Sequence, residues 1–228
     1  MTASTASKPA ATIRELLRRR LGEIGRSADE LAQAIGVPAQ YIDDLMTGAR
    51  RPPLPGRTDI YGKMTSFLQL GRNDVVECAR AERAASAPAR ATEPGAQVRS
   101  LLLALCEPGT ALELERRRTQ HGGAELAGLA QRLLDIAQGA VQRELGDQIS
   151  LRVAALKRGE TYLELRVKVL EFQDATADTV TVDGLIEFLQ PRIARWDVDF
   201  TTGVLRVVLQ APAQSARRLN TPESEERS

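Results

Sequence analysis

The stretch Ser27–Pro52, SADELAQAIGVPAQYIDDLMTGARRP, decides how the chain is read. Ser27 and Glu30 have the S-x-x-E spacing of a capping box, in which each residue satisfies an unpaired N–H of the other's backbone, so a helix should begin there. Leu31 and Ile35 follow at helical spacing, and Gly36 offers a residue tolerant of positive φ where the chain must turn. A second short helix then carries Ile42 and Leu45 at i, i+3 toward the core. Ala32, four residues before the turn glycine, is small enough for the two helices to cross closely. Gln40, Asp43, Asp44 and Thr47 are left pointing outward, so the second helix is expected to stand proud of the surface, as a helix must to enter a DNA major groove about 12 Å wide.

Working outward, Thr12 and Glu15 form another capping box, and Ile13, Leu16, Leu17, Leu21 and Ile24 share one face of a helix ending near Gly25. Ile60, Met64, Phe67 and Leu68 mark a further helix stopped at Gly71, and Asn73 starts one carrying Val75, Val76 and Ala79. Residues 12–83 therefore read as an all-α domain of five helices. Residues 1–11 and 212–228 are rich in Ser, Thr, Ala, Pro and charge and read as disordered tails, and 84–96 reads as a linker. Residues 97–146 read as helical. Val98, Leu101, Leu102 and Leu105 outline a helix stopped by Pro108-Gly109, Thr110 and Glu113 form a third capping box, and Leu126, Leu129, Leu133, Ile136 and Ala140 make a stripe expected to pack on its own chain. In 147–211 the period changes to two: Leu163, Leu165, Val167 and Val169 alternate with Glu164, Arg166 and Lys168, and Lys157-Arg158-Gly159 looks like a hairpin turn. With a helix at Val182–Leu189 and a second hairpin pairing Arg195–Phe200 with Val204–Leu209, this part is expected to be a small ββαββ unit and the whole chain α+β.

Composition narrows the function. The 228 residues are 43% hydrophobic, 27% charged and 4% aromatic, enough for two modest cores. No apolar run is long enough to span a bilayer and the N-terminus lacks an apolar leader, so no membrane partner and a cytoplasmic location are expected. Cys78, Cys106 and the single His121 give poor support to a metal centre, a disulfide scaffold or a catalytic triad, so neither metal nor cofactor is expected and the chain does not read as an enzyme. The net charge is +1, but residues 1–83 carry 13 basic against 10 acidic residues, leaving room for a locally basic reading head. The runs Arg18–Arg20 and Arg116–Arg118 read as solvated faces, Asp197 and Asp199 as strand residues rather than a calcium loop, Trp196 as a core aromatic and His121 as a loop residue.

The pattern L-A-x-x-x-G-V, I-x-x-L, x-G-x-R-x-P falls without a gap on Leu31, Ala32, Gly36, Val37, Ile42, Leu45, Gly48, Arg50 and Pro52. On these residues, 12–83 resembles the Cro/CI-type, or Xre-family, helix-turn-helix domain of phage repressors and bacterial regulators. The resemblance implies a lambda-repressor-like fold and sequence-specific binding of double-stranded DNA by a homodimer. By position, Ala39, Gln40 and Asp44 resemble the family's base-reading residues, and Arg50 and Arg51 its backbone-contacting loop. Gln40 can pair with adenine, Ala39 can meet a thymine methyl and Asp44 can accept from cytosine N4. Arg57 and the hydroxyl of Ser27 add further candidate phosphate contacts. Ala28 stands where the family commonly has a backbone-contacting glutamine, and Asp43 and Asp44 carry negative charge on the face that would approach phosphate. The expectation is a bacterial transcriptional regulator whose C-terminal part self-associates, takes a signal or binds a protein partner. The rival is an adaptor that uses Tyr41, Asp43 and Asp44 of the same fold to dock another protein.

Overall fold

In the computed structural model, which describes residues 12–86, 93–121 and 123–210, capping boxes open the first two helices where the sequence places them. Helix α1 (Ile13–Ile24) starts at Thr12, and α2 (Ala28–Ile35) starts at Ser27. Then follow α3 (Ala39–Thr47), α4 (Ile60–Phe67) and α5 (Asp74–Ala85). Their facing sides bury Ile13, Leu17, Leu31, Ile35, Ile42, Ile60, Met64 and Leu68 almost completely, each worth about 1.5–3 kcal/mol relative to exposure. The expected tails 1–11 and 212–228, and residues 87–92 of the expected linker, lie outside the described residues.

The chain folds into two units, and they are not consecutive in sequence. The first is Met1–Arg90 with Val141–Ala175, and the second is Ala91–Ala140 with Thr176–Ser228. Residues 147–211 are accordingly not one ββαββ unit. The expected first hairpin is a pair of helices, α9 (Gln148–Arg158) and α10 (Tyr162–Asp174), and both belong to the first unit. Gly159, read as a hairpin turn, is the left-handed cap ending α9 at φ 71°, and Thr161 with Glu164 makes a capping box that opens α10. The alternation at 163–169 misled because the buried face of α10 carries two polar residues: Leu165, Arg166, Leu170 and Gln173 are buried at helical spacing. Leu170 joins the core of the N-terminal helices.

In the second unit α6 (Ala96–Ala104) ends before Pro108, which opens α7 (Pro108–His121) instead of stopping α6, as suits a residue with no N–H to satisfy. The expected Thr110–Glu113 capping box is absent for the same reason: Thr110 lies inside α7, and its hydroxyl donates to the Asp197 carboxylate. The backbone of His121 ends α7, so it is not a loop residue. Helix α8 (Ala124–Leu145) buries Leu126, Leu129 and Leu133 of the expected stripe, and its last turn counts with the first unit. After α11 (Val182–Gly184) and a π-helical turn (Leu185–Leu189), strands β1 (Ile193–Asp199) and β2 (Val204–Leu209) form the second expected hairpin, antiparallel with Trp196 opposite Val207. This two-stranded sheet is the only named sheet among the described residues, so the α+β expectation holds with half the strands foreseen. The other edge of β1 bonds to the chain after α6: the Trp196 N–H donates to the Leu105 carbonyl at 3.0 Å, and the Glu107 N–H to the Trp196 carbonyl at 3.0 Å.

Candidate functional site

The α2–α3 corner is built as the sequence requires. Gly36 ends α2 in the left-handed region at φ 73°, and its N–H donates to the Ala32 carbonyl at 2.9 Å. Ala32, 2% exposed, lies under the crossing. Pro38 stands at the N-cap of α3 with φ −62°, and Tyr41, Ile42 and Leu45 fix that helix to the core. Gly48 ends α3 at φ 82°, where a Cβ would collide with the Arg14 guanidinium.

The opposite side of α3 is open. Gln40, Asp43 and Thr47 are exposed, while Ala39 and Asp44 are half-buried. The Gln40 side-chain amide donates to Asp44 at 2.8 Å. Asp44 in turn lies 3.6 Å from Arg50 Nε, and Arg50 Nη1 reaches the Glu171 carboxylate at 2.8 Å. The Arg50 guanidinium also sits 4.8 Å from the centre of the Tyr41 ring, a cation–π distance. Burial of that ring pushes the Tyr41 hydroxyl well above its ordinary pKa, so it stays neutral.

Gln40, Asp44 and Arg50 are thus brought together in one chain of contacts that ends on an acid of α10. The other cations read from the sequence go elsewhere. Arg51 donates to the Arg83 carbonyl at 3.0 Å, and Arg57 lines a cavity beside Asp59 and Arg166. Ser27 spends its hydroxyl oxygen on the Glu30 N–H at 3.1 Å, and the Glu30 carboxylate returns to the Ser27 N–H at 2.8 Å. That backbone bond, with help from Arg26, holds the Glu30 carboxyl below the usual range, so the N-terminus of α2 already has an anion of its own.

Sequence reading missed α10 as a neighbour of this site. Arg166 Nη2 donates to the Ile35 carbonyl at 3.1 Å, at the last residue of α2, and to Asp59 at 2.7 Å, while Arg83 pairs with Asp174. The overlooked signal was Thr161-x-x-Glu164, the same capping-box spacing that located α1 and α2. Burial raises the Asp59 carboxyl, but bonds from Lys63 and Arg166 together outweigh it and leave the carboxyl below its usual range. At Asp174 burial dominates over the charge of Arg83, and the carboxyl is raised.

The remaining sequence candidates have structural occupations. Arg116 and Arg117 pair with Glu113, holding its carboxyl down at about 2, and Arg118 pairs with Glu93. Asp199 accepts from the Thr201 N–H at 2.8 Å and closes the turn between the strands. Trp196 is 1% exposed, and its indole N–H donates to the Leu102 carbonyl at 2.8 Å. Burial raises both thiols, Cys106 to about 12, so they stay protonated near neutral pH. Among the described residues no group of three His, Cys, Asp or Glu side chains is placed to hold a metal ion, and no helix is long and apolar enough to cross a membrane. A comparison with models of known protein families, with curated proteins and with solved structures finds no match for this chain.

Proposed function

We propose that the N-terminal helices form a helix-turn-helix domain of the Cro/CI type, and that the chain is a transcriptional regulator binding duplex DNA sequence-specifically through α3. One observation carries this reading: α3 is pinned to the core by Tyr41, Ile42 and Leu45 behind a left-handed turn at Gly36, while Gln40, Asp43 and Thr47 stay in solvent. Gln40 leads as base reader, because its amide is exposed at the start of the helix and gives up one intrahelical bond to Asp44 on meeting adenine. Arg50 reaches phosphate by leaving Glu171, an exchange that costs little because both side chains are partly in water. Action on DNA in the cytoplasm goes with this reading.

A single short helix offers too few contacts for the usual specific affinity, so the reading includes a homodimer. Helix α9 supports it: Ile149, Val153 and Leu156 lie exposed in one row, with Asp147 at one end and Lys157 and Arg158 at the other. Two copies packed antiparallel along this row set acid against base at both ends. A second reading, an adaptor that docks a protein on α3, is favoured by the exposed acid Asp43 and by Asp44 and Glu171 beside Arg50.

Titration of the full chain onto duplex fragments at several salt concentrations tests the choice. A regulator gives a log–log salt dependence that becomes shallower by about 1–2 when Arg50 and Arg51 are changed to alanine, and Glu171→Gln tightens binding by releasing Arg50. An adaptor gives no salt-dependent binding.

A further inference from the structure

Approach to phosphate needs positive charge beside α3, and α3 has none of its own: it carries Asp43 and Asp44 and no base. The arginines just after it are engaged, Arg50 by Asp44 and Glu171 and Arg51 by the Arg83 carbonyl. Two arginines of α1 are not. Arg14 is half-buried, and its guanidinium lies on Gly48, the exposed residue that ends α3, where a Cβ would collide with it. Gly48 is therefore a seat for this side chain as well as a left-handed cap. Arg18 follows at i+4 on the same face of α1, about 6 Å further along the axis, and is exposed. Among the described residues neither side chain has a hydrogen-bond or ion-pair partner, and the Arg14 Nε is buried without an acceptor. Glu15, three residues before Arg18, is turned to the Thr12 N–H at 3.1 Å. Arg19 and Arg20 differ: both pair with Glu23, and Arg20 also donates to the Leu68 carbonyl at 2.7 Å on another side of the helix.

We propose that Arg14 and Arg18 are a phosphate-contacting pair, so that the DNA-facing surface runs from the exposed residues of α3 over the Gly48 turn and onto α1. This rests on the DNA-binding reading. Arg14 is held on the glycine by packing and not by an acid, so it meets a phosphate oxygen without first giving up a partner. A phosphate at the turn supplies the acceptor that the side chain lacks. Arg18 adds a second charge one helical turn away. Together they offset Asp43 and Asp44, whose repulsion of the sugar–phosphate backbone otherwise stands against α3. Contacts of this kind fix register and orientation and carry no sequence information.

The full chain is titrated at several salt concentrations with a pool of random-sequence duplexes and with the motif recovered from that pool. Beside it stand Arg14→Gln, Arg18→Gln and the charge-keeping Arg14→Lys and Arg18→Lys. Arg72→Gln makes the same charge change elsewhere, in the exposed turn after α4 whose Leu68 and Gln69 carbonyls Arg20 holds. Each glutamine variant of the pair is expected to make the log–log salt dependence shallower by about 0.9. Binding is expected to weaken about fivefold near about 0.15 M salt, equally on both duplex sets. The lysine variants and Arg72→Gln are expected to keep the slope of the unmodified chain, and the recovered motif is expected to stay the same in all. Melting temperatures show which variants are folded, and if Arg14→Gln is not, Arg18→Gln at its exposed position decides the outcome. An unchanged slope in a folded glutamine variant, an equal loss in its lysine counterpart or in Arg72→Gln, or a changed motif overturns the pair and leaves the regulator reading standing. Absence of salt-dependent binding by the unmodified chain overturns both.

Discussion

Helix α10 is tied into the first unit by charged side chains, whereas strand β1 is tied into the second by an indole ring and peptide groups. Arg50–Glu171, Arg83–Asp174 and Arg166–Asp59 connect α10 to the segments around the α2–α3 corner, and Leu170 is its fully buried apolar contribution to that core. Trp196 instead fills the second core, and the backbone of β1 bonds on both edges. The difference has consequences for what each element can do. Charged ties carry a desolvation cost that nearly offsets their attraction, and they respond to salt, pH and competing ions. An indole in a packed core responds to none of these at ordinary conditions. The charged ties of α10 are therefore open to adjustment, while the fastening of β1 is held.

The largest effect should come from the second unit. Trp196→Ala leaves a cavity and the Leu102 carbonyl without its donor, and is expected to cost about 3–5 kcal/mol, read from urea unfolding of the full chain. Arg166→Leu should cost less, about 1.5–3 kcal/mol, because Asp59 keeps Lys63 while Ile35 loses a charged donor. If Arg166→Leu proves as costly as Trp196→Ala, the contrast between the two fastenings fails. A third effect depends on pH. The Asp59 carboxyl is held below its usual range in the folded state, so its contribution is complete above that range and is lost as pH falls through the depressed value. Acid unfolding should show this loss, and Asp59→Asn should flatten it. Arg50→Ala should be the mildest, within about 1 kcal/mol, since its partner Glu171 is half in water.

The readable parts of the fold were those where local signals agreed with one another. At 27–52 the cap, the apolar spacing, the small residue at the crossing and the turn glycine all specify the same corner, and the structure has it. At 161–174 they conflicted. The capping box at Thr161 asked for a helix and the apolar alternation asked for a strand, and burial of Arg166 and Gln173 removed the helical period from view. Hidden with α10 was the fate of the loop arginines. Arg50 and Arg51 could be located in sequence, but Glu171, lying 121 residues after Arg50, is what decides the first one's direction. Non-local charge pairing of this kind has no periodic trace along a chain.

The central claim, that α3 reads duplex sequence, is tested most directly by selecting bound fragments from a random duplex pool with the unmodified chain and with Gln40→Ala. The account predicts that the unmodified chain recovers a motif of two related half-sites, and that Gln40→Ala loses preference at one position in each half-site, with about 1–3 kcal/mol of discrimination gone there and the rest kept. Recovery of no motif, or of one identical in both proteins, would contradict it.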